Sequence, residues 1–120
     1  MIEQIPASAP GQERPDFETI VHMLEHAGRE HPDHTAIISG DNEITYGDYY
    51  ACAAGIAYLL LGMGAKGQRV VILKANSVET SVAAYGVWAA GAETVLFNPL
   101  YTERELGPLL KDASPKIVLC

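Results

Sequence analysis

The chain has 120 residues, a formal net charge of −7 and 48% hydrophobic residues, which predicts one globular domain with a substantial core. The acidic balance argues against nucleic-acid and anionic-membrane partners, because those surfaces need a basic patch. Residues 1–48 hold ten carboxylates against two basic side chains, whereas residues 49–120 hold five against six. The second stretch is therefore the better candidate for deep burial.

Neither the cysteines nor any apolar run indicates export or a membrane. Cys52 and Cys120 are too few for a disulfide framework, and Cys52 lies among alanines, where we expect a small buried residue. No secretory signal pattern opens the chain. The uncharged run 49–65 contains glycines and one-sided periodicity, which favours a buried soluble helix over a membrane span. We therefore expect a cytoplasmic protein.

The chain begins with a predicted arm and a first helix. Residues 1–15 contain three prolines and little periodicity, which indicates an extended N-terminal arm. Asp16 is placed to cap a helix that Pro32 ends. The apolar positions of that helix fall on one face: Phe17, Ile20, Val21, Leu24 and Ala27.

A hairpin and a second helix come next. Residues 35–39 and 43–45 are short β-type runs around Gly40-Asp41-Asn42, which predicts a β-hairpin. Thr45 and Asp48 have the spacing of a capping box, so a helix should begin there. Its apolar face is predicted from helical spacing: Tyr49, Cys52, Ile56, Leu59, Leu60 and Met63.

The remainder alternates between strand and helix patterns. Strands are predicted near 69–73, 94–97 and 117–120, with crossover helices near 77–90 and 103–112. Successive crossover units of this kind are right-handed and join parallel strands. The predicted fold is α/β, a three-layer parallel sheet with crossover helices, preceded by a helix and a β-hairpin.

Three details qualify this part of the chain. Asn76 with Glu79, and Thr102 with Glu105, have capping-box spacing and should begin the two crossover helices. The final run 117–120 is apolar and would expose an unpaired edge if a domain ended there. We therefore expect a partial, truncated domain.

No motif in the sequence by itself defines a catalytic or binding site. The sequence 62–67 fits G-x-G-x-x-G, but it ends a helix and precedes a strand, the reverse of the order that binds a dinucleotide. His22 and His26 have zinc-chelating spacing, yet they lie on the predicted solvated face. Asn76-Ser77 can hold an anion or simply cap a helix, and capping is the preferred interpretation. We predict no catalytic, cofactor-binding or metal-binding residue.

Four short motifs nevertheless resemble one family. Residues 44–49 (Ile-Thr-Tyr-Gly-Asp-Tyr) are similar to the first core motif of the adenylate-forming superfamily, and residues 88–92 with 98–106 resemble the second. Residues 66–72 and 76–79 match the intervening segments. The Asn-Pro-Leu-Tyr-Thr-x-Arg-Glu-Leu string within 98–106 looks most like bacterial long-chain fatty acyl-CoA ligases.

The sequence departs from the family pattern at a few positions. Asp48 and Tyr49 replace the family's Glu-Leu, and Phe97 precedes Asn98 where small or β-branched residues are common. None of these is a catalytic group. They bear on the subfamily and so on the acyl substrate.

The resemblance implies a reaction that this segment does not itself carry out. Such enzymes join ATP and a carboxylic acid into an acyl-adenylate, and CoA then displaces AMP to give a thioester. Their phosphate loop, their ligands for ribose and Mg²⁺ and their catalytic lysine lie farther downstream. Residues 16–120 would thus be the first α/β part of the large N-terminal AMP-binding domain, with ATP, Mg²⁺ and CoA bound only by a longer parent.

Other interpretations stay open at this point. Within the superfamily, the rivals of a fatty acid ligase are an aryl-CoA ligase and a peptide-synthetase adenylation domain. From a different class, a free-standing flavodoxin-like or receiver-like module would place ligand-binding residues at the carboxyl ends of its strands. The many apolar side chains of helix 46–63 also predict that the chain self-associates, through this helix or through the terminal strand 117–120.

Overall fold

The computed structural model describes residues 16–120, so the arm predicted for residues 1–15 lies outside the described part. That part contains four helices and five strands in the predicted order. Their bounds are α1 (Ile20–Glu30), β1 (Thr35–Ser39), β2 (Asn42–Thr45), α2 (Tyr46–Gly62), β3 (Arg69–Ile72), α3 (Val78–Ala89), β4 (Glu93–Leu96), α4 (Glu103–Ala113) and β5 (Ile117–Leu119).

The strands β3, β4 and β5 form one parallel sheet in the order β4-β3-β5. Val71 in the central strand lies opposite Val95 on one side and Val118 on the other. The predicted parallel α/β sheet is confirmed, with strand bounds within one residue of the expected ones. Because the two crossovers run in opposite directions along the sheet, right-handedness puts α3 and α4 on opposite faces.

The hairpin is also present where the sequence predicts it. Strands β1 and β2 pair antiparallel, with Ser39 opposite Asn42. Gly40 turns the chain at φ 61°, in the left-handed region where glycine carries no side-chain penalty. The Thr35 hydroxyl donates a hydrogen bond to the Glu43 carboxylate across the two strands. This small sheet covers one end of the helical layer.

Helix α1 begins later than predicted. Asp16 is not its cap: Thr19 is extended, and its hydroxyl oxygen accepts from the His22 N–H at 3.2 Å. Of the predicted apolar face, Leu24 is buried, but Ile20 is 46% exposed. The reason is that α1 docks through its middle and its second half, where Leu24 and Gly28 contact the helical layer.

The apolar face predicted for α2 is partly wrong. Cys52 is exposed rather than buried, and Leu59 and Met63 are 65% and 57% exposed. Helix α3 approaches so closely at Gly86 that a Cβ there would lie 2.5 Å from Cγ2 of Ile56. The buried stripe of α2 contains the small residues Ala53 and Ala57 together with Tyr49 and Leu60. Among residues 16–120, no helix has both the length and the apolar character needed to span a bilayer.

The core consists of two clusters that share the α2–α3 layer. One joins α2 and α3 to the sheet, where Val70 and Ile72 of the central strand are buried. The other joins α1 and the hairpin to the same helices around Leu24, Tyr49 and Val82. No buried polar or charged residue occurs in the described part of the chain, so apolar packing holds these layers together.

The close α2–α3 contact predicts opposite effects for two glycine substitutions. Gly86→Ala should lower the free energy of unfolding by about 1–3 kcal/mol, since overpacking outweighs the gain in helix propensity. Gly55→Ala is the matched control, because a Cβ added to Gly55 in α2 would have no neighbouring atom within 4 Å. That control should raise the free energy of unfolding by up to about 1 kcal/mol. Urea denaturation measures the free energy of unfolding of both variants. A Gly86→Ala chain as stable as the wild type would contradict the close contact.

Candidate functional site

The carboxyl ends of the three parallel strands meet at one edge of the sheet. Leu73, Phe97 and Cys120 follow β3, β4 and β5 respectively. The Phe97 N–H donates to the Ile72 carbonyl at 3.1 Å, and the Leu73 N–H donates to the Leu119 carbonyl at 2.8 Å. These bonds extend the ladders beyond the strands and fix where the connecting loops start. In open α/β sheets this edge is where ligands bind.

A cleft of about 480 Å³ lies at this edge, between the β3–α3 and β4–α4 loops. It is open to solvent and has mixed apolar and polar walls. Lys74, Asn76 and Asn98, which the sequence places after the strands, are all among its lining residues. The full set is Lys74, Ala75, Asn76, Thr80, Leu96, Phe97, Asn98, Pro99 and Leu100.

Residues of the β3–α3 loop form the N-terminal cap of α3. Ser77, and not Asn76, is the N-cap: its hydroxyl oxygen accepts from the Thr80 N–H at 3.2 Å. The Thr80 hydroxyl donates to the Ala75 carbonyl at 2.6 Å. The predicted interpretation of this segment as a cap is right in kind, but the capping residue is one position later. Ser77 has the extended backbone of an N-cap, and its hydroxyl reaches the third amide of α3.

A carboxylate already occupies the N-terminal turn of α3. Glu79 lies in that turn, and its own backbone N–H, followed by the Ser77 hydroxyl, lowers the pKa of the Glu79 carboxyl from its usual value. The partial positive charge of the helix N-terminus favours such an anion. A second anion at this position would meet the charge of Glu79.

The β4–α4 loop is held by its own hydrogen bonds. The Asn98 side-chain oxygen accepts from the Leu100 N–H at 2.9 Å, and the Asn98 carbonyl accepts from the Tyr101 N–H at 3.1 Å. The predicted box at the start of α4 is present through the Glu105 carboxylate. That carboxylate accepts from the Thr102 N–H at 2.8 Å and from the Thr102 hydroxyl at 3.0 Å. The polar groups of this loop thus support its conformation.

The cleft does not fit the phosphates of a nucleotide. Lys74 is the one lysine or arginine among its lining residues, and no glycine-rich loop surrounds it. The nearby helix N-terminus holds Glu79. Binding a triphosphate needs several converging donors and cations. Within residues 16–120, no group of three or more His, Cys, Asp and Glu side chains is arranged to hold a metal ion.

The other candidate motifs also have structural roles. The glycine-rich segment 62–67 leads from the end of α2 to β3, and Gly64 and Gly67 have φ of 77° and 73°. This order, helix before strand, is the one expected from the sequence and not that of a dinucleotide site. His22 and His26 are both exposed, and the His26 ring lies 5.2 Å from the Phe17 ring.

Comparison with known proteins gives the family. The model of the family described as AMP-binding enzyme matches residues 24–120. This chain belongs to that family. It is 32% identical over 121 residues to the long-chain-fatty-acid–CoA ligase of Salmonella typhimurium, covering 98% of this chain and 22% of that protein. It is 35% identical over 103 residues to the Bacillus subtilis protein of the same name, covering 85% of this chain and 18% of that one.

A solved structure of the family has the same fold. The N-terminal domain of FACL13 from Mycobacterium tuberculosis superposes with a TM-score of 0.77 and 33% identity, over 85% of this chain and 27% of that one. The chain thus spans about a fifth of the length of the curated ligases it matches. The resemblance seen in the motifs is confirmed, and the α/β fold is that of the N-terminal domain of adenylate-forming enzymes. The match argues against a free-standing module.

Two further family motif positions have structural roles. The Thr45 hydroxyl oxygen accepts from the Asp48 N–H at 3.2 Å and so begins α2. Gly91 has φ 73° between α3 and β4, and its carbonyl accepts from the Gly67 N–H at 2.9 Å. Both positions shape the start or end of an element, so the family resemblance in this region is explained by folding.

The capping geometry predicts a difference between two neighbouring residues. Ser77→Ala should lower the free energy of unfolding by about 1 kcal/mol, because α3 loses its N-cap. Asn76→Ala is the matched control and should change it by less than about 0.5 kcal/mol, as surface substitutions usually do. Thermal or urea unfolding measures both. A larger loss for the Asn76 variant would restore Asn76 as the cap.

Proposed function

We propose that residues 16–120 form the first α/β part of the large N-terminal AMP-binding domain of an acyl-CoA ligase, and that residues 1–15 precede it as an extended arm. The observation that carries the proposal is the family match over residues 24–120, combined with similarity to about a fifth of each ligase. The parent would be an ATP-dependent enzyme. Its cytoplasmic location is part of the same proposal and rests on the sequence alone.

The proposed reaction of the parent proceeds in two steps. A carboxylic acid attacks ATP to give an acyl-adenylate and pyrophosphate, and CoA then displaces AMP to give the thioester. Mg²⁺ would accompany ATP. A fatty acid is the favoured substrate, because the relatives named above are long-chain-fatty-acid–CoA ligases and the string at 98–106 resembles theirs. An aryl-CoA ligase and a peptide-synthetase adenylation domain remain the alternatives.

The chain by itself should neither adenylate acids nor bind ATP with useful affinity. One helix N-terminus contributes about 0.3–1 kcal/mol toward an anion, and up to about 2 kcal/mol when partly buried. Micromolar binding requires about 8 kcal/mol. Lys74 is the single cation lining the cleft, and Glu79 opposes an incoming phosphate. The catalytic and nucleotide-binding groups of the parent would therefore come from other segments.

Titration of the 120-residue chain tests whether it binds ATP or adenylates acids by itself. Calorimetry with ATP and Mg²⁺ should show no saturable binding in the micromolar range, and a fatty acid should release no pyrophosphate. A positive control is a full-length ligase of the family under the same conditions. Saturable micromolar binding, or acid-dependent pyrophosphate release by the chain alone, contradicts the proposal.

The substrate class is tested on the parent. Pyrophosphate release with a long-chain fatty acid, a benzoate and a set of amino acids should be fastest with the fatty acid, and adding CoA should yield its thioester. Faster release with benzoate would make the parent an aryl-CoA ligase. Release with an amino acid and no thioester formation would favour a peptide-synthetase domain.

We further propose that the chain self-associates through α2. Leu59 and Met63 lie on one side of that helix and are 65% and 57% exposed. Tyr58, on another side, is 79% exposed. A run of exposed apolar side chains of this kind favours association in water.

A pair of leucine variants tests this association. Leu59→Glu should shift the chain toward monomer across a concentration series measured by light scattering. Leu100→Glu is the matched control, because Leu100 is 86% exposed in the β4–α4 loop, and it should leave association unchanged. A wild-type chain that stays monomeric at millimolar concentration contradicts the proposal. Equal effects of the two variants would place the contact elsewhere.

A further inference from the structure

Helix α4 packs less deeply on the sheet than α3, the other crossover helix. Ala113 is the one buried residue of α4. Leu106 and Leu110 lie on the same face as Ala113 and are half-buried, and the other residues of α4 are exposed. Helix α3, in contrast, buries Val82, Ala83, Ala84, Gly86 and Val87. Little apolar surface therefore holds α4 to the sheet.

The face of the sheet under α4 is only partly covered. Val70 and Ile72 pack in the cluster with α2 and α3, and neighbours in a strand point to opposite faces, so Val71 points toward α4. Val71 is 0% exposed. Beside it in the outer strands, Val95 is half-buried and Val118 is 43% exposed. Helix α4 thus covers the middle of this face and leaves one outer strand partly open to water.

An arginine connects the end of α4 to two strands. Arg69 begins β3, and its guanidinium donates to the Ala113 carbonyl at 3.0 Å and to the Glu93 carboxylate of β4 at 3.3 Å. At the other end of α4, the hydrogen bonds of the Thr102–Glu105 box stay within the helix and its cap. Arg69 therefore holds the C-terminal end of α4 on the sheet, whereas the bonds at the N-terminal end are local.

A proline weakens α4 from within. Pro108 lies inside the helix. It has no N–H to donate to the carbonyl four residues earlier, and its ring crowds that carbonyl. Its side chain is exposed, so burial does not compensate for the lost hydrogen bond. A weakened helix with shallow packing has the features of a segment that opens without the rest of the structure.

We propose that α4 opens by local unfolding while the layer of α1, α2 and α3 and the strand β3 stay folded. Opening breaks the bond between Arg69 and the Ala113 carbonyl and brings Val71 into contact with water. Local unfolding is thus a conformational device built into this part of the fold. It does not depend on the proposed ligase activity, because it rests on packing and hydrogen bonds alone.

Opening of α4 also changes the cleft at the sheet edge. Asn98, Pro99 and Leu100 of the β4–α4 loop form one wall of that cleft. The hydrogen bonds of Asn98 go to Leu100 and Tyr101 in the same loop, so they do not tie this wall to the β3–α3 loop opposite. The wall is therefore free to move with α4, and the cleft widens when α4 opens.

Amide hydrogen exchange under native conditions tests local opening. In NMR spectra of the dilute 120-residue chain, the amides of Leu109 and Leu110 should exchange at least about a hundredfold faster than those of Ala57 and Val87, after correction for intrinsic rates. Urea below the unfolding transition should change the α4 rates little, because local opening exposes little surface. Equal rates and equal urea dependence for the two sets would overturn the proposal.

Two helix substitutions separate local from global opening. Pro108→Ala should slow the exchange of the α4 amides by at least about tenfold, because it restores a hydrogen bond and removes the ring. Gly55→Ala is the matched control, since it stabilises α2 and not α4. It should slow the exchange of Ala57 and Val87 and leave that of Leu109 unchanged. Slower exchange of Leu109 in the Gly55→Ala chain would show that α4 opens only when the whole chain unfolds.

A second pair of variants tests the role of Arg69. Arg69→Met removes both of its hydrogen bonds and should speed the exchange of the α4 amides by about five- to tenfold. Glu93→Gln weakens the exposed ion pair and keeps the bond to Ala113, so it should change that exchange by less than about threefold. Unchanged exchange in the Arg69→Met chain would contradict a role for Arg69 in holding α4. If Arg69→Met unfolds the chain, the comparison of Pro108→Ala with Gly55→Ala still decides whether α4 opens locally.

Discussion

The close contact between α2 and α3 joins the two halves of this structure. A Cβ on Gly86 would lie 2.5 Å from Cγ2 of Ile56 and 3.2 Å from the Ala53 carbonyl oxygen, so only glycine fits. Ile56 packs against both core clusters, the one on the sheet and the one under α1 and the hairpin. The separation of these two helices therefore sets how the N-terminal elements sit on the parallel sheet. Burial of Tyr49 in the second cluster removes water from its phenol and raises the pKa of that group to about 12.

The sequence predicted the three parallel strands of the sheet well, because short apolar runs such as 69–73 leave few alternatives to a covered strand. It predicted the buried face of α2 poorly. Large apolar side chains such as Leu59 and Met63 were the natural core residues by helical spacing, yet α3 lies too close to admit them. That distance depends on a glycine about 25 residues farther along the chain, which no local pattern in α2 reveals.

The helix starts and the candidate site show a second limit of local patterns. Asp16 and Asn76 are competent caps, but Thr19 and Ser77 are competent too and lie slightly later. The choice depends on where each helix must begin to bury residues such as Leu24 and Val82, which is a tertiary constraint. The cleft at the sheet edge was predictable in position, since it follows from parallel strands. Glu79 was expected at the start of α3, but as the capping-box partner of Asn76, whereas the structure has Ser77 as the cap and Glu79 in the first turn.

The polar and the apolar side chains of this region have different roles in the described structure. In residues 16–120, no buried side-chain nitrogen or oxygen lacks a hydrogen-bond partner. Polar groups of the loops form the hydrogen bonds of helix caps and turns. Large exposed apolar side chains lie on α2 and, in the outer strands of the sheet, at Leu96 and Val118. Each of those strands pairs on one side only within the described chain. Surfaces of this kind bind other protein segments, whereas phosphates require free donors. The family motif positions Thr45, Gly91 and Thr102 thus shape the turns and helix starts of this region.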